Sequence, residues 1–122
     1  MAKKILIVED DGFLQGLCSR KFSAEGYDVF IANDGVEGIK ALGDKKTDLI
    51  LLDLLLPKMD GFEFLKTMQE NKDWSKIPVI VFSNLSEEKD INRAKNFGAK
   101  EYMIKSNFTL DDLAQKIKTI LG

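Results

Sequence analysis

The stretch Asp48-Leu49-Ile50-Leu51-Leu52-Asp53-Leu54-Leu55-Leu56-Pro57-Lys58-Met59-Asp60-Gly61 decides the fold. Its first apolar run, Leu49 to Leu52, is too short for a helix and is apolar at every position rather than at alternate ones. Such a run suits a central strand covered on both faces, which is the pattern of a parallel sheet. A carboxylate, Asp53, stands at its end, and Pro57 and Gly61 punctuate the turn that follows.

On either side of that stretch lie four more short runs rich in Ile, Val, Leu and aromatics, Ile5 to Val8, Tyr27 to Ile31, Val79 to Phe82 and Tyr102 to Ile104, of which Ile5 to Val8 and Val79 to Phe82 are likewise apolar throughout. The segments between them carry helical spacing, most plainly at the C-terminus, where Leu110, Leu113, Ile117 and Ile120 recur at intervals of three and four. Thr109 followed by Asp112 predicts a helix cap there, with Asp in the place Glu takes in a capping box. Other helices are expected over Phe13 to Glu25, Gly35 to Leu42, Gly61 to Glu70 and Ser86 to Phe97. Gly26, Gly43 and Gly98 each sit where a left-handed helix C-cap wants glycine. Strand then helix, repeated five times, predicts an α/β fold: a three-layer sandwich around a five-stranded parallel sheet.

Composition narrows the function. The 122 residues, 44% hydrophobic and 31% charged, suit one globular domain with a self-sufficient core. Lys plus Arg number 18 against 20 Asp plus Glu, with no basic stripe, so direct nucleic-acid binding is not expected. The chain contains no histidine, which excludes Ser-His-Asp and Cys-His catalysis and His-ligated zinc. The single cysteine, Cys18, lies among Leu14, Leu17 and Phe22 and reads as a buried thiol. Only four apolar residues follow Met1-Ala2-Lys3-Lys4, so neither a signal peptide nor a membrane span is expected, and the chain reads as cytoplasmic. A single domain over residues 1–122 with no output domain is the expected organisation.

The functional signal is what stands at the carboxyl ends of four strands. Ile5 to Val8 runs into Glu9-Asp10-Asp11, Leu49 to Leu52 into Asp53, Val79 to Phe82 into Ser83, and Tyr102 to Ile104 into Lys105. In open α/β sheets, ligands bind outside the carboxyl ends of the strands. Carboxylates gathered there repel one another by about 4 kcal/mol per pair at ~4 Å and an effective dielectric near ~20, so a cation is expected among them. Only oxygen ligands are on offer, which selects a hard divalent ion such as Mg²⁺. Lys105 and Ser83 add an ammonium and a hydroxyl suited to phosphoryl oxygens. A carboxylate can itself be the nucleophile, forming an acyl phosphate. Asp53 is the candidate, because it stands alone while Asp10 belongs to the acidic cluster that would hold the metal.

The segments Lys4 to Asp11, Asp48 to Gly61, Ile77 to Ser83 and Gly98 to Lys105 together resemble the receiver domain of two-component response regulators, across essentially the whole chain. The resemblance implies the CheY-like, flavodoxin-type strand order 2-1-3-4-5. It implies that Asp53 accepts a phosphoryl group from the phosphohistidine of a sensor histidine kinase or phosphotransfer protein. Asp10 would be a direct Mg²⁺ ligand, Glu9 would act largely through water, and the Leu55 backbone carbonyl would be a further ligand. Ser83 would be the switch hydroxyl, Lys105 the paired ammonium and Tyr102 the aromatic that changes exposure on activation. A downstream protein target would read the surface of the fourth helix, fifth strand and fifth helix. Such a domain is a phosphorylation-controlled switch rather than a conventional enzyme, promoting its own aspartyl phosphorylation and dephosphorylation.

Three positions depart from that pattern. Ser106 follows Lys105 where a cis-linked proline is usual. A non-proline cis bond costs about 3 to 4 kcal/mol, so either a trans bond with a rearranged loop or a cis bond offset by its surroundings is expected. Asn84 and Leu55 flank the path of water to an acyl phosphate, which predicts an atypical phosphoryl lifetime. Two readings from other classes stand beside the switch: a binding module without phosphoryl chemistry, and a Mg²⁺-dependent phosphohydrolase, which would want an acid where Leu55 stands. A flavodoxin-type nucleotide carrier is disfavoured by the acidic loop after the first strand, which offers no phosphate cradle.

Overall fold

The computed structural model describes residues 2–122; Met1, the first residue of the expected domain, lies outside them. Five strands, β1 (Lys4–Val8), β2 (Asp28–Ala32), β3 (Leu49–Leu52), β4 (Val79–Ser83) and β5 (Glu101–Ile104), alternate with five helices. The helices are α1 (Gly12–Ala24), α2 (Gly35–Asp44), α3 (Gly61–Gln69), α4 (Glu88–Asn96) and α5 (Leu110–Leu121). All neighbouring strands pair in parallel, in the order β2-β1-β3-β4-β5, as the resemblance implied.

The uninterrupted apolar runs are explained by what covers them. Side chains of a strand alternate between faces. Ile5, Ile7, Leu49, Leu51, Ile80 and Phe82 therefore pack with Cys18 and Phe22 of α1 and with Leu113 and Ile117 of α5. Their neighbours Leu6, Val8, Ile50, Leu52, Val79 and Val81 pack on the other face with Leu42 of α2, Phe64, Leu65 and Met68 of α3, and Ala94 of α4. With β1, β3 and β4 sandwiched this way, every residue of Leu49 to Leu52 is buried.

Helix ends follow local chemistry. The side chains of Asp11, Asp34, Asp60 and Thr109 cap α1, α2, α3 and α5, and Thr109 with Asp112 forms the expected capping box. Gly26 and Gly98, at φ 96° and 98°, end α1 and α4 in Schellman turns; the amides of Tyr27 and Ala99 reach back to the carbonyls of Phe22 and Ala94. Gly43 does not act as a C-cap. It lies inside α2, which runs on to Asp44 and ends at Lys45 in extended backbone that leads directly toward β3, so no left-handed residue is required. The α4 helix starts at Glu88 rather than Ser86, because Leu85 is held in a turn by Ser83 and by Tyr102. Among the described residues, no helix is long and apolar enough to cross a membrane.

Candidate phosphoryl and metal site

Because all five strands point the same way, the residues just past β1, β3, β4 and β5 share one rim of the sheet. Backbone pairing continues beyond the strands: the Glu9 amide donates to the Ala32 carbonyl (3.0 Å) and the Asp53 amide to the Val8 carbonyl (3.0 Å). Glu9 and Asp53 are thereby carried forward in register into a nearly dry position, 4% and 7% exposed.

Carboxylate oxygens of Glu9, Asp10 and Asp53 all lie within 4.8 Å of one another. Asp10 is the exposed member. The Lys105 ammonium enters this cluster from the end of β5, 2.7 Å from Glu9 Oε1 and 2.9 Å from Asp53 Oδ2. The remaining oxygens are partly engaged by backbone. Asp53 Oδ1 accepts from the Leu55 amide (3.2 Å) and Glu9 Oε2 from the Asp11 amide (3.1 Å).

Burial works against both members of the Lys105–Glu9 pair, with opposite outcomes. For Glu9, desolvation outweighs the Lys105 hydrogen bond, and the Asp53 charge adds to it, so its carboxyl is pushed above the ordinary carboxylate range. For Lys105, burial on its own would lower the ammonium. Its hydrogen bonds to Glu9 and Asp53 outweigh that and hold it above the ordinary lysine value. The donor set is all oxygen, clustered and one side open to solvent at Asp10, and so fits a hard divalent cation that keeps part of its water shell.

Ser83 is fully buried at the end of β4, and its hydroxyl accepts from the Leu85 amide (3.3 Å). The Tyr102 hydroxyl donates to the carbonyl of the same Leu85 (2.6 Å). Burial, reinforced by the charges of Asp90 and Asp53 and partly offset by the neighbouring Ser83 hydroxyl, pushes the Tyr102 phenol up to about 12. Leu55 is 55% exposed beside a cleft of about 490 Å³ that Asp10, Pro57 and Arg93 also line. The Lys105–Ser106 bond is trans, and residues Lys105–Asn107 form a single 3₁₀ turn from which Lys105 still reaches both carboxylates. Of the predicted residues, then, Glu9, Asp10, Asp53 and Lys105 are brought together directly, while Ser83 and Tyr102 meet one another at Leu85.

The chain matches the response regulator receiver domain model over residues 5–118. It belongs to that family. The receiver is 36% identical over 121 residues to the alkaline phosphatase synthesis transcriptional regulatory protein PhoP of Bacillus subtilis, covering 99% of this chain and 49% of that protein. It is 34% identical over 121 residues to sporulation initiation phosphotransferase F of the same organism, covering 99% of this chain and 95% of that one. The solved Mn²⁺-bound form of response regulator Rcp1 superposes with a TM-score of 0.83 at 31% identity, covering 97% of this chain and 91% of that one. The chain spans about half the length of the first curated relatives it matches. As a receiver it is a phosphorylation-dependent signalling switch of two-component systems, a signalling domain rather than a conventional enzyme.

Two residues at this rim escaped the sequence reading. Gln15 of α1 donates to the Glu9 carbonyl, and Lys58 holds its backbone at φ 66° in the loop after Asp53. The Met59 amide closes a three-residue turn on the Pro57 carbonyl (2.7 Å) around Lys58, a rare γ-turn that the sequence around Pro57 does not announce. For Gln15 no local signal exists, since its partners lie in other segments.

Proposed function

We propose that the receiver accepts a phosphoryl group on Asp53 from the phosphohistidine of a sensor histidine kinase or a phosphotransfer protein. An Asp53 carboxylate oxygen attacks phosphorus as the bond from phosphorus to the donor imidazole nitrogen breaks. The electron pair leaves on that nitrogen, and an acyl phosphate results. Attack by water later returns the carboxylate and inorganic phosphate. Glu9, Asp10, Asp53 and the Leu55 carbonyl are the groups that would hold Mg²⁺. When bound, the ion supplies positive charge against the phosphoryl oxygens.

The observation that carries this reading is the Lys105 ammonium, seated on Asp53 and Glu9 within a carboxylate cluster that opens to solvent at Asp10. Its remaining N–H is free to pair with a phosphoryl oxygen on Asp53. Ser83 turns to donate its hydroxyl to the same group, and the swing of Oγ that this requires breaks its contact with the Leu85 amide. Because Leu85 also anchors the Tyr102 hydroxyl, the change reaches β5 and the face built from α4, β5 and α5, where a downstream protein would read it. The fold and the transfer chemistry suit a cytoplasmic setting.

Incubation with Mg²⁺ and a small phosphodonor, read by intact mass, tests the assignment. One phosphoryl group should add to the wild type, and none to Asp53→Ala. Equal mass gain in the variant would remove Asp53 from its role.

A further inference from the structure

We propose that the β2–α2 junction, Asn33 to Gly35, is a positioning element for the phosphoryl site. It braces the Glu9–Asp10 turn through Gln15 and the loop after Asp53 through Lys58 and Met59. The proposal rests on the reading of Glu9, Asp10 and Asp53 as cation ligands given above. The junction follows an edge strand and contributes no group to the site itself.

One arm of the brace is ionic. Among the described residues, Lys58 is the one non-glycine residue with positive φ, at 66°, a region that an L side chain disfavours. Its ammonium lies 3.7 Å from Asp34 Oδ2, a carboxylate only 6% exposed. The other oxygen of Asp34 accepts from the Glu37 amide (2.8 Å), so the anchor is itself locked as the cap of α2. A second arm is steric. A Cβ placed on Gly35 would stand 2.2 Å from the Met59 carbonyl oxygen and 2.7 Å from Met59 Cβ. The loop backbone therefore rests directly on the first residue of α2.

The loop transmits that contact inward because it is bonded to itself. The Met59 amide donates to Pro57 (2.7 Å), the Leu56 and Gly61 amides both donate to the Leu54 carbonyl, and the Leu55 amide donates to Asp53 Oδ1. On the other side of the junction, the Gln15 amide group donates both to the Glu9 carbonyl and to Asn33 Oδ1 (2.8 Å). Asn33 is held in turn by Glu37 Oε1, through its backbone and side-chain nitrogens at 3.0 Å each. The two acid-bearing turns, already joined through the pairing of β1 with β3, thus both lean on one short segment, which limits how far either can move. Residues that orient a ligand-bearing segment from outside tune metal affinity without touching the ion.

The test uses Lys58→Met, Lys58→Arg and Gly35→Ala, with Lys116→Met as a control that breaks the remote Lys116–Glu101 pair. Lys58 is 70% exposed, so its variants keep the fold even if Gly35→Ala does not. Amide hydrogen exchange of the metal-free proteins should quicken severalfold at Leu56, Met59 and Gly61 in Lys58→Met, return toward wild type in Lys58→Arg and stay unchanged in the control. Mg²⁺ affinity by calorimetry should fall by up to about fivefold in Lys58→Met, the most that loss of a largely exposed ion pair can supply. Unchanged exchange and unchanged affinity in Lys58→Met would overturn the brace, whatever its melting temperature. If the wild type bound no Mg²⁺ while loop exchange still quickened, the cation reading would fall and the brace would stand.

Discussion

Lys105 Nζ bridges Asp53 and Glu9, linking the ends of β5, β3 and β1 through one ammonium. It is the sole cation hydrogen-bonded to those two buried carboxylates among the described residues. In the metal-free receiver it is therefore the internal counter-ion of the site. Lys105→Met keeps the length of the side chain and removes the charge, leaving two buried carboxylates uncompensated. Stability should fall by about 3 kcal/mol, as when one partner of a buried pair is deleted. Mg²⁺ should then raise the melting temperature of the variant by more than it raises that of the wild type, because more repulsion remains to be neutralised. Equal Mg²⁺ increments would show that Lys105 does not serve as counter-ion.

Asp10 differs from its two neighbours in being exposed and in accepting no hydrogen bond or ion pair within the described residues. Without metal it contributes only repulsion toward Glu9 and Asp53. Asp10→Asn should leave the metal-free protein as stable as wild type or more so, and should erase most of the Mg²⁺-induced rise in melting temperature. Thermal melts with and without Mg²⁺ decide this. A marked loss of stability in the metal-free variant would assign Asp10 a structural role instead.

How much could be read beforehand divides along the range of the interactions. The strand Leu49 to Leu52 was legible to the residue, since burial on both faces leaves an unbroken apolar run. The capping of α5 by Thr109 and Asp112 was legible because both partners lie within one turn. The end of α2 is not legible, since Gly43 looks like a cap but the extended path into β3, beginning at Lys45, is what stops the helix. Strand ends disclosed the acids and Lys105, because parallel direction alone sends them to one rim. The link of Ser83 and Tyr102 through Leu85, and the mooring of Lys58 on Asp34, join segments distant in sequence and left no periodic trace.

Cys18 gives the receiver a pH dependence of known sign. Its thiol is 1% exposed on the α1 face of the sheet, and burial, reinforced by the Glu9 charge, pushes it up to about 11. An unfolded thiol ionises near ~8.5. Below that value both states hold the proton and Cys18 adds no pH dependence. Between the two values the unfolded chain loses its proton while the folded chain keeps it, so stability falls as pH rises, by roughly 3 kcal/mol at most. Lysines titrate in the same range, so the readout is the difference from Cys18→Ala. The wild type should lose more stability than the variant between pH 8 and ~10.5, by urea unfolding at each pH. Parallel losses would mean the thiol is not shielded.

Two glycines should respond to alanine in opposite directions. Gly16 lies mid-helix in α1, where a Cβ would meet nothing nearer than Arg20 Nη1 at 3.7 Å. Gly16→Ala should therefore gain up to about 1 kcal/mol from helix propensity. Gly61 opens α3 directly against the turn that carries Asp53, where a Cβ would stand 2.6 Å from Leu54 Cα and 2.7 Å from the Asp53 carbonyl oxygen. Those are backbone atoms and cannot turn aside. Gly61→Ala must shift either α3 or the turn that carries Asp53, at about 1 to 3 kcal/mol for overpacking, and should slow phosphoryl uptake from a small donor, which Gly16→Ala should leave unchanged. Urea unfolding gives the stabilities and intact mass over time gives the uptake. A Gly61→Ala protein that loses stability yet takes up phosphoryl at the wild-type rate would show that α3 yields and the Asp53 turn does not.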